Sequence, residues 1–289
     1  MQQTMTTSRS QDSIPTLPYK HRFSRDDFEG IRQCYYDHGF AIVEKVITKE
    51  MVEELKQSIL EVVLPDGKIE PGATKYSLDF VERSPACAKL LTYRPYTDIS
   101  RCLFGEEMSL NRSAAIVKNV GASVGAWHTD LCAPDATDGG KNAALNRGKF
   151  VSAWLYLNGT HPSRGGLAII PDSHTSDWAG PEGFEFTHAR RSFYRKGTEP
   201  VAYKEMDVPG MLPLFTEPGD GVYFAERTYH GVFPHNGDQL RLSCGISFRP
   251  GRAPLPNVWP LSESARRFIA SCPKEVQHWV KYYPGLNQA

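Results

Sequence analysis

A mainly β fold with flanking α-helices, built as an antiparallel barrel or double-sheet jelly roll, follows from three features of the chain. From residue 108 onward the sequence breaks into short β-runs, of which MSLNRSAAIVKNV, KFVSAWLYLNG, GLAIIP, GDGVYFAE and QLRLSCGISFR are the clearest. Gly, Pro and Asn punctuate these runs at the spacing expected between antiparallel strands. Strands do not alternate with long helices, which argues against a doubly wound parallel sheet.

Ahead of the β-region the pattern is helical. Residues 1–20 are rich in Ser, Thr, Gln and Pro without an apolar period, so a mobile arm is expected as far as Phe23. Ser24, with Asp27 three residues on, predicts a helix start; Phe28, Ile31, Tyr35 and Tyr36 then carry about four turns to a stop at His38-Gly39. FAIVEKVI reads as a short strand, and Thr48 caps a second helix with Val52, Leu55, Ile59 and Val63 on one side. Beyond a Pro/Gly loop at 65–73, one or two helices over 84–105 end at Gly105. The expected organisation is an arm (1–20) and one domain (21–289), with a helical part at 21–107, a β-core at 108–250 and a C-terminal extension at 251–289. Two long connections, 131–149 and 173–208, interrupt the β-core, and loops of such length usually act as lids or binding segments.

Composition narrows the function classes. Hydrophobic residues are 40% and charged residues 23%, with 33 basic side chains matching 33 acidic ones, a balance that argues against a dedicated nucleic-acid binder. No run of about 18 apolar residues exists, and MQQTMTTSRSQDS lacks the apolar segment of a secretory signal, so a cytoplasmic chain without a membrane partner is expected. Cys34, Cys87, Cys102, Cys132, Cys244 and Cys272 are scattered with no C-x-x-C pair, which points to buried thiols rather than disulfides or a cysteine-bound metal.

The chemistry concentrates in GAWHTDLC, where His128 and Asp130 stand two residues apart and leave the same face of a strand or its frayed end. The best third ligand is His230 in TYHGVFPHN, close after the strand that opens at Gly219-Asp220-Gly221. Two imidazoles and a carboxylate on one face of an octahedral ion leave open positions, the arrangement of non-haem Fe(II) oxygenases, for a bidentate cosubstrate and O₂. Eleven residues after His230, Arg241 shares a strand face with Ser243, opposite Leu240 and Leu242. An arginine pointing into a barrel is costly unless a carboxylate meets it, and the distal carboxylate of 2-oxoglutarate suits its fork. Taken singly each element is weak; their order along the chain is what carries weight.

In that order the chain resembles the phytanoyl-CoA dioxygenase family of Fe(II)/2-oxoglutarate oxygenases over most of residues 24–250. FSRDDFEGIRQCYYDHGFAIVEKVITKEMVEEL is similar to the family's opening helix, strand and helix, and WHTD to its W-H-x-D. SAWLYLNGTHPSRGGLAIIPDSH resembles its Trp-bearing strand, turn and Gly-Gly-Leu strand, and PGDGVYFAERTYHGVFPHN with Arg241 completes the pattern. The resemblance implies a double-stranded β-helix of cupin type, iron ligands His128, Asp130 and His230, Arg241 gripping 2-oxoglutarate, and Trp154 beside it. Because related halogenases lack the carboxylate ligand, Asp130 points to oxygenation. Val232 stands where the family often has Ser or Thr, so Ser243 is the candidate replacement hydroxyl, against the plainer reading of a serine bonded to backbone. Asp172 replaces a glycine in the family's Pro-Gly-Ser-His turn, which puts that turn's backbone in question.

Small-molecule oxidation is thus the leading expectation, with hydroxylation as the default outcome and desaturation, cyclisation or dealkylation as further ones. A non-catalytic metal- or ligand-binding barrel, and a metal-dependent hydrolase on the same ligands, remain alternatives. Arg190, Arg191, Arg195 and Lys196 in HARRSFYRKG are either substrate contacts or a solvated loop face; Trp127, Trp178, Phe184, Phe186 and Tyr194 either wall a pocket or anchor that loop. The sequence leaves the substrate and the oligomeric state open.

Overall fold

The computed structural model describes residues 16–130, 151–251 and 260–285. In chain order, β1 (Arg22–Ser24), α1 (Phe28–His38), β2 (Phe40–Glu44) and α2 (Lys49–Val63) lead to β3 (Thr74–Ser77), α3 (Phe80–Arg83), α4 (Pro85–Lys89) and α5 (Arg94–Phe104). The β-region comprises β4 (Met108–Lys118), β5 (Gly125–His128), β6 (Val151–Tyr156), β7 (Leu167–Ile169), β8 (Phe184–Phe186), β9 (Phe193–Arg195), β10 (Leu212–Pro213), β11 (Gly221–Ala225), β12 (His230–Val232) and β13 (Arg241–Pro250). Helices α6 (Glu263–Ser271) and α7 (Gln277–Val280) follow. A larger sheet runs β1-β2-β11-β6-β13-β4-β3, a smaller one β10-β7-β12-β5, and β8 pairs with β9. Apart from the parallel β1–β2 pair, the pairings are antiparallel.

Strand alternation sorts the side chains into two layers. Ala41, Val43, Ala153, Leu155, Tyr223, Cys244 and Ile246 leave the larger sheet on its outer side and pack with Ile31, Leu55, Ile59, Leu90 and Ile99 of the helices and the loop after α4. Phe40, Ile42, Tyr156, Val222 and Phe224 leave on the inner side and meet Leu167, Ile169 and Leu212 of the smaller sheet. Helices therefore back one sheet while the two sheets enclose a barrel interior, the jelly roll expected from the β-runs. Between the sheets the apolar inner core gives way to polar side chains, and there the candidate site lies.

Several local expectations change. Asp27, not Ser24, caps α1, accepting from the Gly30 amide at 3.1 Å, while Ser24 ends β1. The helix is 11 residues, about three turns. Thr48 does cap α2, and Val52, Leu55, Ile59 and Val63 are buried. The stretch before 108 also adds β1, β2 and β3 to the larger sheet, and α3 precedes the two helices expected within 84–105. The end of the N-terminal arm is fixed: the Tyr19 ring stacks on His38 at 3.4 Å. The connection at 131–149 and Cys132 lie outside the described residues, whereas 173–208 contains the β8–β9 hairpin. Asp172 adopts φ +63, so the turn keeps the left-handed conformation a glycine would give, and its carboxylate bonds His38 Nδ1 at 2.7 Å. Cys34, Cys87, Cys102, Cys244 and Cys272 are free thiols, three of them buried.

Candidate active site

His128 closes β5 and His230 opens β12, and antiparallel pairing sets the two directly opposite each other. Trp127, the neighbour of His128, points outward and is fully buried against Phe193 and the β8–β9 hairpin, which turns His128 into the barrel. The imidazole centroids lie 4.3 Å apart. His128 Nδ1 lies 2.7 Å from the Ala126 carbonyl and His230 Nδ1 3.0 Å from the Thr228 carbonyl. A carbonyl only accepts, so each Nδ1 carries the proton and each Nε2 keeps its lone pair for a metal.

Asp130 leaves the strand just after His128, its backbone amide donating to the Glu226 carbonyl at 2.8 Å. One carboxylate oxygen stands 4.0 Å from His230 Nε2, and the candidate ligand atoms of His128, Asp130 and His230 all lie within 4.8 Å of one another. One divalent ion can span that spacing. Burial works to raise the Asp130 pKa, but the neighbouring positive charge, Arg112 foremost, outweighs it and holds the carboxylate ionised. Burial, with His128 beside it, pushes His230 down to about 4, so the ring is neutral at pH 7. Two imidazoles and one carboxylate form the donor set a divalent iron takes.

A supporting network, invisible to the sequence reading, holds Asp130. Arg112 Nη2 lies 3.3 Å from Asp130 Oδ2 and 3.1 Å from Glu226 Oε1, and Ser247 Oγ donates to the same Glu226 oxygen at 2.6 Å. Arg112 reaches inward because β4 carries an extra residue: the register passes from Arg112↔Ser247 to Leu110↔Phe248, a bulge of the kind that re-aims side chains beside active sites. A basic residue within the predicted strand MSLNRSAAIVK was the available signal. Removing this brace in Arg112→Met is expected to weaken Fe(II) binding about 10–100-fold, read by anaerobic metal titration. Unchanged affinity would show that Asp130 is positioned by its backbone alone.

On the other side of the ligand cluster, Arg241 is 4% exposed; its Nη1 donates to the Gly165 carbonyl at 2.8 Å and Nη2 to Ser243 Oγ at 3.3 Å. Its Nε has no acceptor, and no carboxylate pairs with it among the described residues. The guanidinium lies 5.4 Å over the Tyr156 ring. Lys118, its register partner on β4, is also buried; burial and Arg241 pull its pKa down to about 8. An uncompensated buried cation with a spare N–H fits an anionic ligand, as the carboxylate of 2-oxoglutarate would be. Ser243 is bonded to Arg241 rather than to backbone. Trp154 faces the same interior: it pairs with Gly245, where a Cβ would stand 3.0 Å from the indole, so only glycine lets the ring lie on β13. Tyr156, two residues on and beside Arg241, was missed, although its shared face with Trp154 was readable.

The remaining candidates separate. Arg190 bonds the Trp178 carbonyl at 2.6 Å and stacks on Phe186, and Arg195 pairs with Asp207, so both serve the loop itself. Of these basic residues Arg191 approaches the site, donating to the Thr129 carbonyl at 3.2 Å. Trp127, Trp178, Phe184 and Phe186 pack with Phe193 and Tyr229, anchoring the loop, while Tyr194 bonds Glu185 at the surface. Val232 packs against the inner apolar core and supplies no hydroxyl.

Known proteins share this architecture. The family model for phytanoyl-CoA dioxygenase (PhyH) matches residues 35–243. A 1-deoxypentalenic acid 11-beta-hydroxylase from Streptomyces exfoliatus is 24% identical over 244 residues, covering 78% of this chain and 82% of that protein. Its counterpart from Streptomyces arenae is 26% identical over 226 residues, covering 73% and 76%. The fold is shared with the epimerase SnoN of nogalamycin biosynthesis, solved with Fe3+, alpha ketoglutarate and nogalamycin RO (TM-score 0.58, 18% identity, 81% of this chain and 88% of that one). It is shared likewise with iron-bound HygX from Streptomyces hygroscopicus (TM-score 0.57, 16% identity, 75% and 85%). With the match running from the last turn of α1 to the first three residues of β13, the chain belongs to the phytanoyl-CoA dioxygenase family and is a non-haem iron- and 2-oxoglutarate-dependent oxygenase.

Proposed function

We propose that His128, Asp130 and His230 hold Fe(II), that Arg241, oriented by Ser243, binds the distal carboxylate of 2-oxoglutarate, and that the enzyme hydroxylates a small organic molecule. The observation that carries this reading is the pairing, in one barrel interior, of three convergent ligand atoms with a buried arginine that has no counter-ion among the described residues. A hydrolase on the same ligands has no use for such a cation. With iron, 2-oxoglutarate and O₂ bound, the chemistry supplied is oxidation of a C–H bond to C–OH, the second oxygen atom leaving in succinate as CO₂ is released. The chain's own contribution is placement. Arg112 and Glu226 fix Asp130, the Ala126 and Thr228 carbonyls fix the two imidazoles, and Trp154 and Tyr156 wall the cosubstrate between Arg241 and the metal.

Hydroxylation rather than another oxidative outcome is supported by the names of the two curated relatives, both hydroxylases, while the presence of Asp130 speaks against halogenation. No helix among the described residues is long and apolar enough to cross a membrane. Anaerobic addition of Fe(II) and 2-oxoglutarate to the purified protein is expected to give a weak visible charge-transfer band. Absence of that band in the wild type would sink the assignment.

A further inference from the structure

β13 carries a second buried arginine, outside both the candidate metal site and the cosubstrate site. Arg249 is 3% exposed, forms no ion pair among the described residues, and leaves both Nε and Nη2 without an acceptor. Phe248 before it points to the outer core and meets Trp279, so Arg249 lies on the inner face with Ser247, the serine that bonds Glu226 beside Asp130. The inner face of β13 thus reads, in order, Arg241, Ser243, Gly245 under Trp154, Ser247 and Arg249. Arg249 is about 26 Å along the strand from Arg241 at the usual rise. The Ser247 network lies between them, so Arg249 stands beyond the candidate metal site, away from the cosubstrate arginine.

An independent observation marks the same corner. The bulge in β4 leaves Asn111 without a register partner in β13. Asn111 is 1% exposed, and its Oδ1 has no donor. It lies two residues on from Ser109, which pairs with Arg249. Two donor atoms of Arg249 and one acceptor of Asn111, all buried, are thus left without partners among the described residues on the paired strands β13 and β4. Folding alone gains nothing from leaving them unpaired, since each costs the desolvation of a polar group.

We propose that Arg249 is the subsite for a carboxylate on the substrate, so that this oxygenase acts on an organic acid, with the Asn111 oxygen free to accept from a donor on the same ligand. The proposal rests on the oxygenase reading above and adds the substrate class to it. The two unpaired N–H-bearing atoms of one guanidinium match the single charge and planar fork of a carboxylate rather than a phosphate dianion. The bound acid is held by its carboxylate on the far side of the metal from Arg241, which leaves its carbon skeleton lying over the ligand cluster. That both curated relatives are named for oxidation of an acid accords with this placement.

Two measurements test it. A merely structural arginine would be missed on removal, whereas an unpaired buried one is a burden, so Arg249→Met is expected to raise the melting temperature of the unloaded protein by a few degrees. Under anaerobic conditions with Fe(II) and 2-oxoglutarate, 1-deoxypentalenic acid and cyclohexanecarboxylic acid are each titrated against their primary amides, with binding followed by calorimetry. The acids are expected to bind at least tenfold tighter than the amides, and Arg249→Met to abolish that preference while the charge-transfer band stays intact. A lowered melting temperature, no acid binding, equal binding of acids and amides, a preference that survives in the variant, or equal competition by inorganic phosphate would each overturn the proposal. Absence of acid preference in the wild type with the band present defeats only this inference; absence of the band defeats the oxygenase assignment whatever the acids do.

Discussion

His230→Ala is expected to abolish turnover, by on the order of 10³-fold or more, and to remove the charge-transfer band at Fe(II) concentrations that saturate the wild type. Loss of a supporting partner already costs a metal site about 10–100-fold, and removal of one of three protein ligands must exceed that. The buried position makes the effect clean: His230 is 6% exposed and enclosed by Phe224, His128 and the strands β5 and β7. His128→Ala and Asp130→Ala should behave alike, since each contributes one of the three clustered ligand atoms. Succinate release and anaerobic absorbance check the result together. A His230→Ala protein that keeps both would show that the metal is bound elsewhere.

Arg241→Met is expected to raise the dissociation constant for 2-oxoglutarate about 10²–10³-fold while leaving Fe(II) affinity near that of the wild type. Truncating one member of a buried, hydrogen-bonded charge pair costs about 2–5 kcal/mol, and each 1.4 kcal/mol is tenfold in affinity. The separation of the two readouts follows from position: Arg241 touches Gly165, Ser243 and Tyr156 but none of the candidate ligand side chains. Arg241→Lys should recover only part of the loss, because an ammonium cannot reproduce the two-pronged contact. Fe(II) and 2-oxoglutarate titrations, each at saturating levels of the other, separate the effects. Equal weakening of both would mean that Arg241 acts through the fold.

Legibility of the fold differed by kind of feature. The β-runs were readable because each strand buries one face or both, and the helical period of Val52, Leu55, Ile59 and Val63 because α2 lies on the outer core. The very short strands β1, β3, β8 and β9 were not, since three or four residues carry too little period to register. The start of α1 was misread for a local reason: Ser24 and Asp27 both suit a cap, and pairing of β1 with β2 draws Ser24 into the sheet.

For the site, sequence alone determined the residues whose chemistry is legible in their type and spacing: His128, Asp130 and His230 as candidate ligands, and Arg241 and Ser243 on one strand face. It also determined that the chain is a mainly β oxygenase with helices at its front. Tertiary structure decided what stands around those residues. The brace of Asp130 joins Arg112, Glu226 and Ser247, which are far apart in the chain and meet only through the β4–β13 register and its bulge. That Arg249 is a cation without a partner among the described residues is likewise invisible in the string RLSCGISFRP, because charge compensation is a property of the folded interior. Spacing along one strand fixes which side chains share a face; which of them find partners depends on strands brought together across more than a hundred residues.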